Sequence, residues 1–399
     1  MTGKLIGVFL GLLLLVSCSL RPGAGSKTPA SLSSVAPAPT TVPLSPDQRT
    51  AKPDGPATPQ PISVPPGFAV SVYAQDLGRP RGIAVATDGT IMIGDTAGGR
   101  VLDITKRGNN GLAMPVVIAQ GFKEPHSVTF HDGKLYIGDT DKVVRLERTA
   151  NGTWGNQQTI VPNLPTGGNH TTRTVLFGRD DKLYVSIGSS CNVCQEADER
   201  RATVMQFDAD GSNGRIFARG LRNAVGLTLR PGTNEIWASN NGRDLLGDDL
   251  PPETINILKD GADYGWPRCH SGRIVDPEFG GPGACDGVAK PVVEMQAHSA
   301  PLGLTFYTGA QFPPEYRGNL FVAFHGSWNR SAPTGYKVVR IPVDANGKAG
   351  AVQDFATGWL ASDGKVWGRP VDVATAPDGS LLVTDDQGGR VYRISYVGS

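Results

Sequence analysis

Residues 82–95 read GIAVATDGTIMIGD: an alternating apolar run, an Asp88-Gly89 turn, and a second apolar run ending in Asp95. Asp-Gly between alternating apolar segments is a strong hairpin signal, because both residues tolerate the positive φ of a tight turn. The same pattern returns at residues 127–139, 174–188, 226–240, 303–309 continued by 318–326, and 372–386. Starts at 82, 127, 174 and 226 are spaced by 45, 47 and 52 residues, and those at 303 and 372 follow after insertions. Several copies close with a further strand, as at Gly99-Arg-Val, Lys142-Val-Val, Tyr336-Lys-Val and Gly389-Arg-Val. A period near 45 with about four strands per copy is what propeller blades look like in sequence. Six copies predict an all-β, six-bladed β-propeller with four-stranded blades. The strand around residues 68–74 is expected to close the ring beside the last strands, which removes a free sheet edge.

Composition agrees with this reading. The 399 residues include 52 Gly and 31 Pro, which argue against a helical bundle, since both destabilise helix interiors. Formal net charge is only +1, so nucleic acid is not an expected partner.

The first residues read as an export signal. Lys4 precedes the apolar core 5–16, and the run ends Leu15-Val16-Ser17-Cys18. That ending resembles the lipobox of bacterial lipoproteins, in which Cys18 becomes the lipidated first residue after residues 1–17 are removed. Residues 19–66 carry 12 of the prolines and no aromatic residue, so 18–66 is expected to be a disordered linker. The propeller is expected over 67–399. These features imply an exported cell-envelope lipoprotein on the periplasmic face, held to the membrane by a lipid anchor only. In an exported chain the two remaining local cysteine pairs, Cys191 with Cys194 and Cys269 with Cys285, read as disulfides, with half of a metal site or a redox dithiol as the rival readings of Cys191 and Cys194.

In a propeller, the loops before the inner strands and after the second strands share one face. The first set carries Arg79, Arg81, His126, His170, Arg173, Arg222, Asn223, His298 and Arg369. The second carries Asp95, Asp139, residues 240–244, residues 325–330, and Asp385-Asp386. Cations gathered at one mouth predict a polar, multiply anionic ligand.

Several motifs then resemble one family along about residues 65–397: bacterial quinoprotein sugar dehydrogenases that use pyrroloquinoline quinone (PQQ), in particular the L-sorbosone dehydrogenase branch. The carrying motifs are Gly167-Gly-Asn-His170, Gly188-Ser-Ser-Cys-Asn-Val-Cys194 and Gly220-Leu-Arg-Asn223. With them go Asn241-Gly-Arg-Asp-Leu-Leu-Gly-Asp-Asp249, Tyr264-Gly-Trp-Pro267, Phe324-His-Gly-Ser-Trp-Asn-Arg330 and Trp367-Gly-Arg369. The resemblance implies a PQQ- and Ca²⁺-dependent oxidation of an aldose, sugar aldehyde or related polyol, with His170 as general base. It places Arg222 and Asn223 at the quinone oxygens and Arg369 at a PQQ carboxylate. His325, Arg330 and Trp328 are further candidate contacts, Trp328 as a cofactor wall or as packing between blades. The carbonyls of Gly242 and Arg243 would hold Ca²⁺, and Asp244, Asp248 and Asp249 either add carboxylates or cap turns. The chain departs from the soluble glucose enzyme where Val225 replaces a Gln, Val371 replaces a second Arg, and no Lys counterpart is found near His325. No C-x-x-C-H haem motif occurs, so electrons would leave to a separate acceptor, a quinone pool or cytochrome.

Two rival classes remain at this stage. A six-bladed lactonase or other hydrolase would want inward Glu, Asp and Asn as direct metal ligands. A non-catalytic propeller lipoprotein that binds an envelope partner would have no need of His170.

Overall fold

The computed structural model describes residues 55–398. Cys18 and the proposed leader lie outside the described residues. Six four-stranded antiparallel sheets follow one another along the chain. Blade one is Pro80–Val85, Ile91–Asp95, Arg100–Asp103 and Val116–Gln120. Blade two is Ser127–His131, Lys134–Asp139, Lys142–Arg148 and Trp154–Val161. Blade three is Val175–Phe177, Leu183–Ile187, Thr203–Phe207 and Arg215–Arg219. Blade four is Leu227–Leu229, Ile236–Asn240, Glu253–Leu258 and Val293–Met295. Blade five is Pro301–Phe306, Leu320–Phe324, Lys337–Ile341 and Gln353–Ala356. Blade six is Pro370–Thr375, Leu381–Asp385, Arg390–Tyr396 and, outermost, Phe68–Ala74. The only helix among the described residues is a short 3₁₀ turn, Pro314–Tyr316.

The ring closes as the sequence predicts. Phe68 pairs opposite Tyr396 and Val72 opposite Tyr392 in antiparallel register. Phe68 also anchors an aromatic cluster, with edge contacts to Phe312, Tyr316, Phe355 and Tyr396. The second strands of blades one, three, five and six are buried along their whole length, and that of blade two in all but its first residue, Lys134. They therefore pack on both faces, against the blades on either side.

The boundary at residue 67 needs correction. Residues 55–66 are laid against the propeller: Ser63 pairs with Thr357, and the Pro56 carbonyl accepts the Val72 N–H at 2.9 Å. Ile62 and Val64 pack on the blade-six core, which offsets the ordering entropy that the proline content alone leaves uncovered.

Two insertions shape the mouth of the ring. One, after Leu183–Ile187, carries a Cys191–Cys194 disulfide. The other, between Glu253–Leu258 and Val293–Met295, carries a small Cys269–His270/Ile274–Val275 hairpin and the Cys269–Cys285 disulfide. Both disulfides match the pairs read from the sequence.

Candidate functional site

Three of the aspartates collected at the mouth turn out to serve the fold. Asp95, Asp139 and Asp385 end the second strands of blades one, two and six, and all three are fully buried. Each carboxylate accepts backbone N–H groups from the loop before its own inner strand: Arg79 for Asp95, Lys123 and Glu124 for Asp139, Arg369 for Asp385. One residue type thus ties the same loop down in three blades.

A polar cavity of about 390 Å³ opens where the mouths of blades three, four and five meet. His170, Arg222, Asn223, Glu253, His298 and Trp328 are among its lining residues. The geometry around His170 depends on close backbone approach. Gly168 has φ +78°, and a Cβ there would sit 2.5 Å from the Ser190 carbonyl oxygen. A Cβ on Gly188 would meet the His170 Cβ at 2.5 Å and Asn223 Oδ1 at 2.7 Å. These two glycines let the His170 loop, the 188–190 turn and the Asn223 side chain converge.

His170 Nδ1 lies 2.9 Å from both the Ser189 carbonyl oxygen and Ser189 Oγ. Since the carbonyl can only accept, Nδ1 carries the proton and Nε2 holds the lone pair. Among the described residues no group engages Nε2. Burial, and then the nearby Arg222 charge, push the His170 pKa down to about 3. The imidazole is therefore neutral near neutral pH, and an anionic occupant of the cavity would offset Arg222 and raise the value.

Arg222 is buried and held at several points. Its Nη2 donates to Asp244 Oδ2 at 2.7 Å and Asn192 Oδ1 at 3.0 Å, and its Nε to the Asn192 carbonyl at 2.9 Å. Asn223 Nδ2 donates to Asn241 Oδ1 at 3.4 Å, and Asn241 Nδ2 to the Pro301 carbonyl at 2.7 Å. Asp244 Oδ1 accepts from Asn329 Nδ2 at 3.0 Å. Asn329 Oδ1 is left as a buried oxygen with no partner among the described residues. Trp328 is 72% exposed, so it lines the cavity and does not pack between blades.

Glu253 belongs to this cavity and was not singled out from the sequence. It opens the third strand of blade four, outside the two loop sets used to map the mouth. Its carboxylate accepts the Gly242 N–H at 2.6 Å and the Ala300 N–H at 3.3 Å, and burial raises its pKa to about 7. An acidic residue at the start of an otherwise apolar strand, just after Pro251-Pro252, was the available signal.

The expected ring of free cations is not what the structure holds. Arg81 pairs with Asp386 at 2.6 Å, and His325 Nε2 lies 2.9 Å from the other oxygen of Asp386. Burial lowers His325 to about 4. Arg369 donates to the carbonyls of His325 and Gly326 at 3.0 and 2.9 Å. Arg330 binds the Asp248 carbonyl and Asp249, fastening the 244–249 loop to blade five. Arg243 is buried in ion pairs with Asp276 and Glu278. His325, Arg330 and Arg369 thus do not line the His170 cavity. Asp248 bonds Ser331, and Asp249 is exposed, so both act in loop closure.

Oxygen atoms without hydrogen-bond partners occur where the sequence reading expects calcium. The carbonyls of Gly242 and Arg243 accept no hydrogen bond from any described residue, and Gly242 lines the cavity. Asn329, whose Oδ1 is buried with no partner among the described residues, lines the same cavity, and neutral oxygens of this kind are ones that calcium takes. Arg222, the Asn223 amide and the exposed Trp328 indole suit a planar, anionic cofactor. The residues present therefore fit both groups. Among the described residues the sole cluster of three or more His, Cys, Asp or Glu ligands is Cys191, Cys194 and Glu196, whose cysteines are joined to each other.

The departures at Val225 and Val371 also find an account. Both are buried, and they pack with Leu302 into one apolar cluster on the propeller axis.

The sequence profile described as "Glucose / Sorbosone dehydrogenase" matches residues 84–393. A protein of Borreliella burgdorferi of no assigned function is 34% identical over 353 residues, covering 84% of this chain and 91% of that protein. The pyrroloquinoline quinone-dependent pyranose dehydrogenase of Coprinopsis cinerea is 27% identical over 424 residues. That match covers 85% of this chain but 56% of the Coprinopsis enzyme, so the chain corresponds to about half of it. The holo PQQ domain of Coprinopsis cinerea pyranose dehydrogenase superposes with a TM-score of 0.74 at 26% identity, covering 86% of this chain and 99% of that domain.

Proposed function

The chain belongs to the glucose/sorbosone dehydrogenase family, and on that premise we propose that it is a PQQ- and calcium-dependent oxidoreductase. Its substrate is an aldose, sugar aldehyde or related polyol, and its electrons pass to a separate acceptor. The observation that carries this reading is the unpartnered Nε2 of a neutral His170 beside the fixed Arg222–Asn223 pair.

When bound, PQQ would supply a quinone that accepts a hydride equivalent (two electrons and one proton), and calcium the Lewis acidity that polarises it. Arg222, Asn223 and Trp328 are the residues that would hold the cofactor, and the Gly242 and Arg243 carbonyls with Asn329 Oδ1 would hold the ion. His170 Nε2 takes the proton of the substrate hydroxyl. Its Nδ1–H remains on the Ser189 carbonyl, which fixes the ring and steadies the imidazolium as it forms. The Arg222 guanidinium, held by Asp244, keeps a positive charge at the cavity wall where negative charge collects during reduction. Asp244 acts through Arg222 in this arrangement.

A metal-dependent hydrolase is disfavoured by the ligand inventory. A lactonase-type centre wants inward Glu, Asp and Asn as direct metal ligands, whereas here Asp244 is paired with Arg222 and the Glu253 carboxylate accepts the Gly242 and Ala300 N–H groups. The localisation we propose is the cell envelope, through lipid on Cys18. A fatty-acid label carried by the wild-type chain and lost in Cys18→Ser is the expected result.

Reconstitution tests the function. Purified chain with PQQ and Ca²⁺ should show a cofactor spectral change and reduce an artificial dye with some member of a sugar panel. His170→Ala should still bind PQQ yet lose turnover by about 10²–10⁴-fold, the usual contribution of a general base. Full activity in that variant would remove His170 from the mechanism, and lactone hydrolysis with metal but without PQQ would replace the reading.

A further inference from the structure

Asn192 carries none of the roles assigned above, yet it meets the site from several directions. Its carbonyl oxygen accepts Arg222 Nε at 2.9 Å and Trp266 Nε1 at 3.3 Å. Its Oδ1 accepts Arg222 Nη2 at 3.0 Å and the Asp244 N–H at 2.8 Å. Its Nδ2 donates to the Asp244 carbonyl at 3.1 Å. Two neighbouring donors on one edge of the planar guanidinium, Nε and Nη2, are thus gripped by two oxygens of one neutral residue. Such a fork-on-fork contact fixes the plane of an arginine as a carboxylate would, without cancelling its charge.

What holds Asn192 is the ring around it. It is the second residue of Cys191-Asn-Val-Cys194, closed by the disulfide into a four-residue loop. That loop lies in a connection without regular structure, where an unrestrained Asn would sample many conformations. The ring also reaches His170, since the Cys191 carbonyl accepts Ser189 Oγ at 2.7 Å and Ser189 bonds His170 Nδ1. Glu196 pins the adjoining turn by accepting Ser190 N–H at 2.6 Å and Ser190 Oγ at 2.7 Å.

We propose that Asn192, clamped by the Cys191–Cys194 disulfide, is the positioning residue that sets the Arg222 guanidinium at the cavity. Opening that disulfide loosens the binding site. The inference rests on the PQQ reading above.

The test is a double-mutant cycle read by PQQ affinity, measured by titrating the cofactor-free full chain with PQQ in the presence of Ca²⁺. Asn192→Ala should raise the PQQ Kd at least tenfold, the low end for losing a hydrogen bond to a charged group. The same substitution in an Arg222→Ala background should change the Kd by less than twofold, because its effect is carried through Arg222. A merely structural Asn192 gives penalties that add in full, and that result overturns the proposal, as does unchanged affinity in the single variant. The joint Cys191→Ser/Cys194→Ser variant keeps Asn192 but opens its ring. It should weaken PQQ binding in the same direction, again only when Arg222 is present, and it takes over the test if Asn192→Ala does not fold. Wild-type affinity in that variant overturns the role of the disulfide. Failure of the wild-type chain to bind PQQ overturns the functional reading itself, a result distinct from wild-type binding with an indifferent Asn192.

Discussion

Replacing Gly188 by alanine adds one methyl group at a crowded point of the site, between His170 and Asn223. The new Cβ would lie 2.5 Å from the His170 Cβ and 2.7 Å from Asn223 Oδ1. Carbon atoms rest about 3.5–4.0 Å apart, so His170 or the 188–190 turn must move by roughly 1 Å. Neither is free to do so. His170 is tied through Nδ1 to Ser189, and the Ser189 N–H is bonded to the Arg222 carbonyl at 2.8 Å. Overpacking of this kind costs about 1–3 kcal/mol, and a displacement near 1 Å at a catalytic group costs about 100-fold in rate. Gly188→Ala is therefore expected to melt a few degrees lower than wild type and to lose about two orders of magnitude in kcat with PQQ and Ca²⁺ present. Gly281→Ala is the control, since Gly281 has an ordinary φ and open space where a Cβ would go. Differential scanning calorimetry and steady-state dye reduction on the pair decide the matter. Wild-type melting and turnover in Gly188→Ala would refute the steric reasoning.

Two further predictions concern stability. Asp372 faces the propeller axis and accepts only backbone N–H groups, from Ile83 at 3.0 Å and Val373 at 2.8 Å, and burial raises its pKa to about 7. The folded protein keeps this proton while the unfolded chain releases it near pH 4, so this residue costs stability increasingly as pH rises from about 4 to 7. Asp372→Asn should gain on wild type across that window by up to about 1.4 kcal/mol per pH unit, and parallel denaturation curves at pH 5 and pH 8 would contradict this. Removing residues 55–66 strips Ile62 and Val64 from the blade-six core together with the Ser63–Thr357 pairing, so a chain starting at 67 should be less stable by about 2 kcal/mol than one starting at 55. Equal urea midpoints for the two would show that this segment contributes nothing.

The fold was legible because its signals are local. Asp132 and Gly133 have φ of +48° and +69°, the conformation their turn demands, and the second strands announce their burial by unbroken apolar runs. The closing strand was legible for a related reason: an alternating segment before the first blade needs a partner. The charged mouth was legible only in outline. That Arg81, His325 and Asp386 form one group depends on blades one, five and six meeting in space, and no spacing along the chain encodes it. Glu253 and Asn192 escaped for opposite reasons, one because it sits inside a strand and the other because its importance lies in what its loop brings near. The stretch 55–66 looked unstructured because prolines dominate it, while the two residues that bind it to the core, Ile62 and Val64, are too few to stand out.

The pairing of Phe68–Ala74 with Arg390–Tyr396 bears on the order in which the molecule is made. The outer strand of blade six emerges among the first segments of the domain, and its partner emerges last. Until then, Phe68 has neither Tyr396 nor the aromatic groups of blade five to pack against. Blades one to five can form as the chain lengthens, but the ring stays open like a broken circle with two sticky ends. Closure is therefore a report of completeness. A chain interrupted anywhere in its last blade leaves the apolar strand Phe68–Ala74 without its partner, an open edge that only the finished product covers.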